Sequence, residues 1–391
     1  MDRQTAPLAG FRVVERSETV AGAYAGRLLS ALGADVQLLE PPGGHRLRTR
    51  APLVAPDVSS IFGYVAAGKQ STTIDLATSE GRSELRMLVA DADIYIDDVG
   101  RSQRERTGTT PEDISAIHPE LVYVSVRPFG MSGPKADWVG EEVTLFHSSG
   151  EGNLLPNGLA HERHPERAPI KMFGYFAETQ AGVAAVLGAL ASLVHGTGQI
   201  VDVSVQDTIV ALAAFGVQRH GDGSLEHRST RSFKYGGVLE CADGYVELLT
   251  LEDRQWRGLV ELVGDTDWAD DPALADGIQR GLRGAEINAA LRSWALGQRT
   301  TDLVAAAQQL GVPAATYARP EQVLGDPHAL ARGLFQSVLV PGLGDVPMLS
   351  GPVQFDAKPL VLAGGPPDSA EPISPTIRAT RVPVETSGGV Q

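Results

Sequence analysis

From Phe11 to Val126 short apolar runs alternate with amphipathic stretches, and this alternation limits the fold more than any other feature of the chain. Phe11 to Glu15 reads as a buried strand. Val20 to Leu32 reads as a helix, with Leu28, Leu29 and Leu32 at helical spacing and Gly33 as its stop. Asp35 to Leu39 is the next strand, and Ser71 to Leu76 alternates like another. Thr78-Ser79 caps a helix that carries Glu80 in its first turn and Leu85, Leu88 and Val89 on one face. Asp93 to Ile96 is a strand, Pro111 opens a helix with acids in its first turn, and Leu121 to Val126 is a strand. Strand and helix in this order require crossovers, so the expected fold is α/β with a mainly parallel sheet covered on both faces. Such sheets take ligands beyond the carboxyl ends of their strands. That points to the loops after Glu15, Leu39, Val99 and Arg127.

Residues 151–169 read as an irregular loop. Phe176 to Leu193 is an Ala-rich helical stretch, expected to be buried or at a subunit contact. Gln199 to Val205 is a strand leading into a helix from Thr208 to Phe215. Near residue 220 the texture changes to a polar linker, HGDGSLEHRSTRS. A hairpin follows, turning at Ala242-Asp243-Gly244, and then helices to about Leu310. These make a smaller domain of mixed type. Residues 325–359 return to short strands and loops, and 363–391 lack apolar anchors and read as a mobile tail.

A formal net charge of −15 repels polyanions, which argues against nucleic acid and anionic membranes as partners. The lone Cys241 cannot form an internal disulfide, and no Cys/His spacing suggests a metal. The first residues lack the apolar segment of a signal peptide and no run of 18 apolar residues occurs, so the expected compartment is the cytoplasm.

There is no GxGxxG after a strand, no GxxxxGK[ST] and no GxSxG, which removes the dinucleotide fingerprint, the P-loop and the serine-hydrolase elbow. The nine histidines lack a motif context. Basic residues do gather after the strands: His45, Arg46, Arg48 and Arg50; Lys69; Arg101, Arg104 and Arg106. Cationic loops on that side of a parallel sheet suit a phosphate-rich ligand, although solvated surface charge has the same pattern. Among carboxylates, Glu141 and Glu142 follow a Gly-rich loop, and Glu178 lies in the first turn of the Ala-rich helix. A carboxylate there can be only a dipole partner.

Several segments resemble the family III acyl-CoA transferases, the CaiB/BaiF type that includes formyl-CoA transferase and carnitine CoA-transferase. They are PLAGFRVVERSETVAGAYAGRLLSALGADVQLLEPPGG (7–44), AAGKQSTTIDLATSEGR (66–82), HPELVYVSVRPFGMSGP (118–134) and GVAAVLGALASLVHGTGQIVDVSVQD (182–207). DGYVEL (243–248), GVPAATY (311–317) and GDPHALARGLF (325–335) follow in collinear order. The resemblance implies a Rossmann-like large domain that binds coenzyme A (1–224), a small domain (225–324), a return segment (325–362) and an interlocked homodimer. It implies coenzyme A as substrate and product, with no metal.

The resemblance also implies a carboxylate nucleophile, acylated by an acyl-CoA and then carried through an enzyme-bound CoA thioester to an acceptor acid. The family uses Asp. Counting back ten residues from Gly188 and four from Gly182 lands on Glu178, one methylene longer. The loop Phe129-Gly130 to Gly133 is the implied oxyanion site, and Lys69, Arg106 and Arg48 are the implied CoA ligands. The family's racemases pair an Asp with a His, at a position where this chain has Glu141. Absence of that His argues against racemisation. Glu141 and Glu178 together leave open a lyase or isomerase that uses paired carboxylates. An inactive family member is the third reading. Phe173, Tyr175, Phe176 and Trp138 lie near the implied site and are expected chiefly as core packing.

Overall fold

The computed structural model describes residues 5–56, 58–212, 217, 235–264, 268 and 271–368. The expected linker at 220–232 and the tail beyond Asp368 lie outside the described residues.

Six parallel strands form the main sheet: β1 (Arg12–Arg16), β2 (Asp35–Glu40), β3 (Gln70–Thr73), β4 (Ile94–Asp97), β5 (Val122–Arg127) and β6 (Ile200–Ser204). Their spatial order is β3-β2-β1-β4-β5-β6. Chain order therefore reverses between β1 and β4, where Glu15 lies opposite Ile96 and Arg16 opposite Asp97. Helices cannot cover the sheet evenly at such a reversal, and the gap opens at the carboxyl ends of the two strands.

The crossovers follow the local signals. Helix α1 (Val20–Ala31) is capped by Thr19, whose hydroxyl accepts the Gly22 N–H at 3.3 Å. A short α2 (Ser60–Val65), which has no clear sequence signal, precedes β3. Helix α3 (Ser79–Ala90) starts at the Thr78 cap. Helix α4 (Arg101–Thr107) stops at Gly108 with φ 65°, and α5 (Pro111–Ile117) opens on a Thr110/Asp113 capping box. One face of the sheet buries Val14, Tyr95 and Tyr123 against Leu85, Val89 and Ile114. Helices α6 (Glu142–Ser148), α7 (Phe176–His195) and α8 (Val205–Leu212) complete this unit's crossovers. Helix α7 packs along α1 at Gly182, where a Cβ would lie 2.9 Å from the Ala21 carbonyl oxygen. Only glycine allows the two backbones that close.

By length and composition alone, α7 could cross a membrane, even though it holds no unbroken apolar run of that length. Here Ala177, Ala181, Ala185 and Ala189 are buried within the protein, while Val183, Leu187 and Val194 are exposed.

Contacts divide the chain into two units: Met1–Glu151 with Lys171–Val217 and the segment from Asp326, and Gly152–Ile170 with Gln218–Gly325. The sequence reading takes 151–169 as an irregular loop of the first domain. Instead, Arg163 pairs with Glu240 and Glu162 with Arg292, both at 2.6 Å, within the second. That unit has an antiparallel sheet of β7 (Gly237–Cys241), β8 (Gly244–Leu248) and β9 (Ala314–Thr316). It packs on Trp256, Leu259, Ile287 and Leu291, and the hairpin turns at the expected Ala242-Asp243. Back in the first unit, β10 (Phe335–Val340) and β11 (Gly344–Leu349) form a hairpin whose Val338, Val340 and Met348 pack against Ala31 and Ala67. Residues 363–368, expected to be mobile, are anchored: Gly68 donates to Gly365 O at 3.1 Å and Arg48 to Pro367 O at 3.2 Å.

Candidate active site

A cleft of about 270 Å³ opens over the reversal between β1 and β4. Its walls come from the segments that follow β1, β2, β4 and β5, the four loops singled out by the strand pattern. Glu178 reaches it from the first turn of α7 and is only 5% exposed. Its Oε2 accepts the N–H of Val20 at 2.9 Å and of Ala21 at 3.3 Å, the first two amides of α1. These amides lack intrahelical acceptors, and the helix dipole favours an anion there. Burial and the nearby Glu142 charge nevertheless push the Glu178 carboxyl up to about 7, against the two amide bonds.

Glu142, also 5% exposed, holds the start of α7 itself. Its oxygens accept the N–H of Ala177 at 3.2 Å and of Glu178 at 3.1 Å, and Lys171 Nζ stands 3.7 Å away. Asp98, directly after β4, lines the same cleft. It accepts the N–H of Glu18 at 2.7 Å and of Thr19 at 2.8 Å, and the Thr19 hydroxyl at 2.6 Å. Burial pushes its carboxyl up to about 7 as well.

The residues expected from sequence distribute unevenly. Glu178 is in the cleft. Glu141 is at its mouth but half exposed, and it pairs loosely with Arg46 at 3.4 Å and Arg50 at 3.3 Å. The carboxylate next to Glu178 is therefore Glu142, one residue along. Lys69 cannot greet a ligand: its ammonium is fully buried, 2.6 Å from Glu15 and 2.7 Å from Ala23 O. Arg48 makes a fork to Glu40, with both bonds at 2.7 Å, and lies over the Phe62 ring. It lines a different cavity, between α2 and the 366–368 segment. Arg106 is exposed in the last turn of α4 and does not line the cleft. Gly130 does not line it either. It adopts φ 79° so that the chain can turn, and the next amide, Met131 N–H, is taken by both oxygens of Asp202 at 3.0 Å. The amides that do face the cleft's carboxylate are those of Val20 and Ala21. Tyr175 lines the cleft and accepts a bond from Arg50 Nε at 3.2 Å. Phe176 packs against Phe146, whereas Trp138 and Phe173 are exposed and are not core.

Comparison with known proteins gives the same reading at the level of the whole chain. CoA-transferase family III matches residues 8–371. The chain belongs to CoA-transferase family III. This CoA-transferase is 28% identical to the succinyl-CoA–D-citramalate CoA-transferase of Chloroflexus aurantiacus, over 91% of this chain and 90% of that one. It is 30% identical to the succinate–glutarate CoA-transferase of Agrobacterium fabrum, over 85% and 86% of the two chains. A crystal structure of a CAIB/BAIF family protein from Brucella suis superposes with a TM-score of 0.79, at 29% identity, covering 93% of this chain and 96% of that one. The enzyme thus transfers CoA between an acyl-CoA and a carboxylic acid.

The cations that this CoA-transferase places on the cleft are Arg46, Arg50 and Arg127. Arg127 is half-buried and, among the described residues, donates to two backbone carbonyls, Asp98 O at 3.3 Å and Ala136 O at 3.4 Å. A guanidinium bonded to neutral acceptors keeps its charge available to a phosphate or carboxylate. Arg46 and Arg50 line the cleft too but pair with Glu141, and their position beyond a strand's carboxyl end is a signal that they share with Arg48.

Proposed function

We propose that Glu178 is the nucleophile that carries CoA from one acid to another. One of its oxygens attacks the thioester carbonyl of an acyl-CoA; the C–S bond breaks and CoA leaves as thiolate, giving a mixed anhydride on Glu178. The thiolate then attacks Cδ of Glu178. The carbonyl electrons move onto the side-chain oxygen, the Cδ–O bond to the acyl group breaks, and the first acid leaves as carboxylate. The resulting glutamyl-CoA thioester is opened by the acceptor carboxylate in the reverse sequence, which restores Glu178.

The observation that carries this reading is the Glu178 carboxylate lying in the cleft with Oε2 on the Val20 and Ala21 amides. Attack at Cδ develops negative charge on that oxygen, where two fixed N–H donors already point. Burial excludes the water that would hydrolyse the anhydride. The sequence's alternative, proton transfer between Glu141 and Glu178, finds less support, because Glu141 is half exposed and already pairs with two arginines.

The test is trapping. The protein is incubated with an acyl-CoA panel headed by succinyl-CoA, following the names of the two relatives, and quenched with hydroxylamine or borohydride. Mass spectrometry should find the modification on the peptide holding Glu178. Exchange of α-deuterium without an adduct would replace transfer by acid–base chemistry. We also propose a homodimer, supported by the exposed stripe Val183, Leu187 and Val194 on α7; sedimentation at micromolar concentration tests it.

A further inference from the structure

We propose that Asp98 is a positioning residue for Glu178: it clamps residues 18 and 19 so that the next two amides meet the nucleophile. This rests on the reading of Glu178 given above. Four consecutive N–H groups, from Glu18 to Ala21, point to just two carboxylates. Asp98 takes the first pair and Glu178 the second. The peptide planes of this turn are linked, so rotating Glu18 or Thr19 would swing the Val20 and Ala21 amides away from Oε2.

Two further contacts fix the clamp. The Thr19 hydroxyl donates to Asp98 Oδ2 at 2.6 Å and accepts the Gly22 N–H at 3.3 Å, which joins the carboxylate to the helix cap. Gly22 leaves room for this: a Cβ there would lie 2.6 Å from Asp98 Oδ2. A helix needs only the Thr19 cap to start. A second buried acid at the same turn carries a desolvation penalty, visible in its raised pKa, and capping alone does not require it. What it adds is a fixed orientation for the amides that face charge developing on Glu178.

The consequence is a split between rate and binding. Asp98→Asn replaces an acceptor oxygen by an NH₂ that faces N–H donors. Gly22→Ala keeps the charge and displaces it. Both are compared with the wild-type chain, using the CoA ester and acid on which the wild type turns over in the panel above. Each variant should lose about 100-fold in kcat, the scale of a misplaced oxyanion donor. Both KM values should stay within about threefold, with a cooperative thermal transition retained. Folded Asp98→Asn and Gly22→Ala proteins with wild-type kcat would overturn the proposal. So would losses confined to KM. A wild-type chain that turns over without any adduct on Glu178 would instead remove the nucleophile reading, and this proposal with it.

Discussion

The backbone N–H of Glu178 donates to the Glu142 carboxylate at 3.1 Å, while the Glu178 side chain accepts from a different helix, α1. One acid therefore fixes where the other begins. Glu142 substitutes for the missing acceptors of the first turn of α7 and so sets the direction in which the Glu178 side chain leaves the helix. Its charge also opposes ionisation of Glu178, second only to burial.

Replacing Glu142 by Gln should therefore move the acid limb of the pH–rate profile to lower pH. The nucleophile must be ionised, and removing a neighbouring negative charge favours the ionised form. The wild-type limb is expected near pH 7. Single-turnover formation of the Glu178 adduct across pH 5–9 measures it. An acid limb unmoved, or moved upward, would show that Glu142 acts by geometry alone.

Glu178→Gln should abolish transfer, keep CoA affinity within a few-fold and stabilise the protein at alkaline pH. The carboxyl titrates near 7 when folded against an ordinary value of 4.5, so the folded chain holds this proton more tightly than the unfolded chain does. Stability must then fall as pH rises between those values, with the full penalty present above about 7. Gln does not titrate and can still offer an oxygen to Val20 and Ala21. Urea unfolding should show a gain roughly 2 kcal/mol larger at pH 8.5 than at pH 5.5.

Glu178→Asp tests the extra methylene. The family resemblance has Asp as the nucleophile, yet here the longer side chain spans from α7 to the α1 amides. Shortening it withdraws the oxygen by more than 1 Å from donors set at 2.9 and 3.3 Å. A reacting group misplaced by about that much costs on the order of 100-fold. Steady-state kcat should fall by that order with little change in KM for the CoA ester; full activity would mean that α1 and α7 move together to follow the carboxyl.

These relationships mark the reach of the sequence. The strand and helix alternation places β1 to β6 within three residues of their observed ends, because apolar period and caps are local properties. It also points to the loops that wall the cleft, since the carboxyl ends of parallel strands share one edge. Glu178 comes from the family resemblance, counted along one helix, and the structure places it in the cleft. What local pattern does not carry is which charge meets which. Glu141 and Glu142 are indistinguishable until α7 arrives from 36 residues away to need a cap. Asp98 becomes visible only when β4 is set beside β1. Lys69, beside a strand in a cationic context, reads as a ligand until Glu15, on another strand, faces it across 54 residues.

Lys69 accordingly gives the sharpest contrast between binding and stability. Its ammonium and the Glu15 carboxylate are both fully buried and 2.6 Å apart. Lys69→Met would leave Glu15 as an uncompensated buried acid and should destabilise the chain by about 3–5 kcal/mol. Adding Glu15→Gln removes the orphaned charge and should recover most of that loss, because the penalty belongs to the unpaired ion and not to the missing attraction. Urea unfolding of the two single variants and the double variant measures both effects. Calorimetric titration with CoA should give the double variant an affinity within a few-fold of wild type. A stable double variant that had lost CoA binding would return Lys69 to the ligand set that the family resemblance implies.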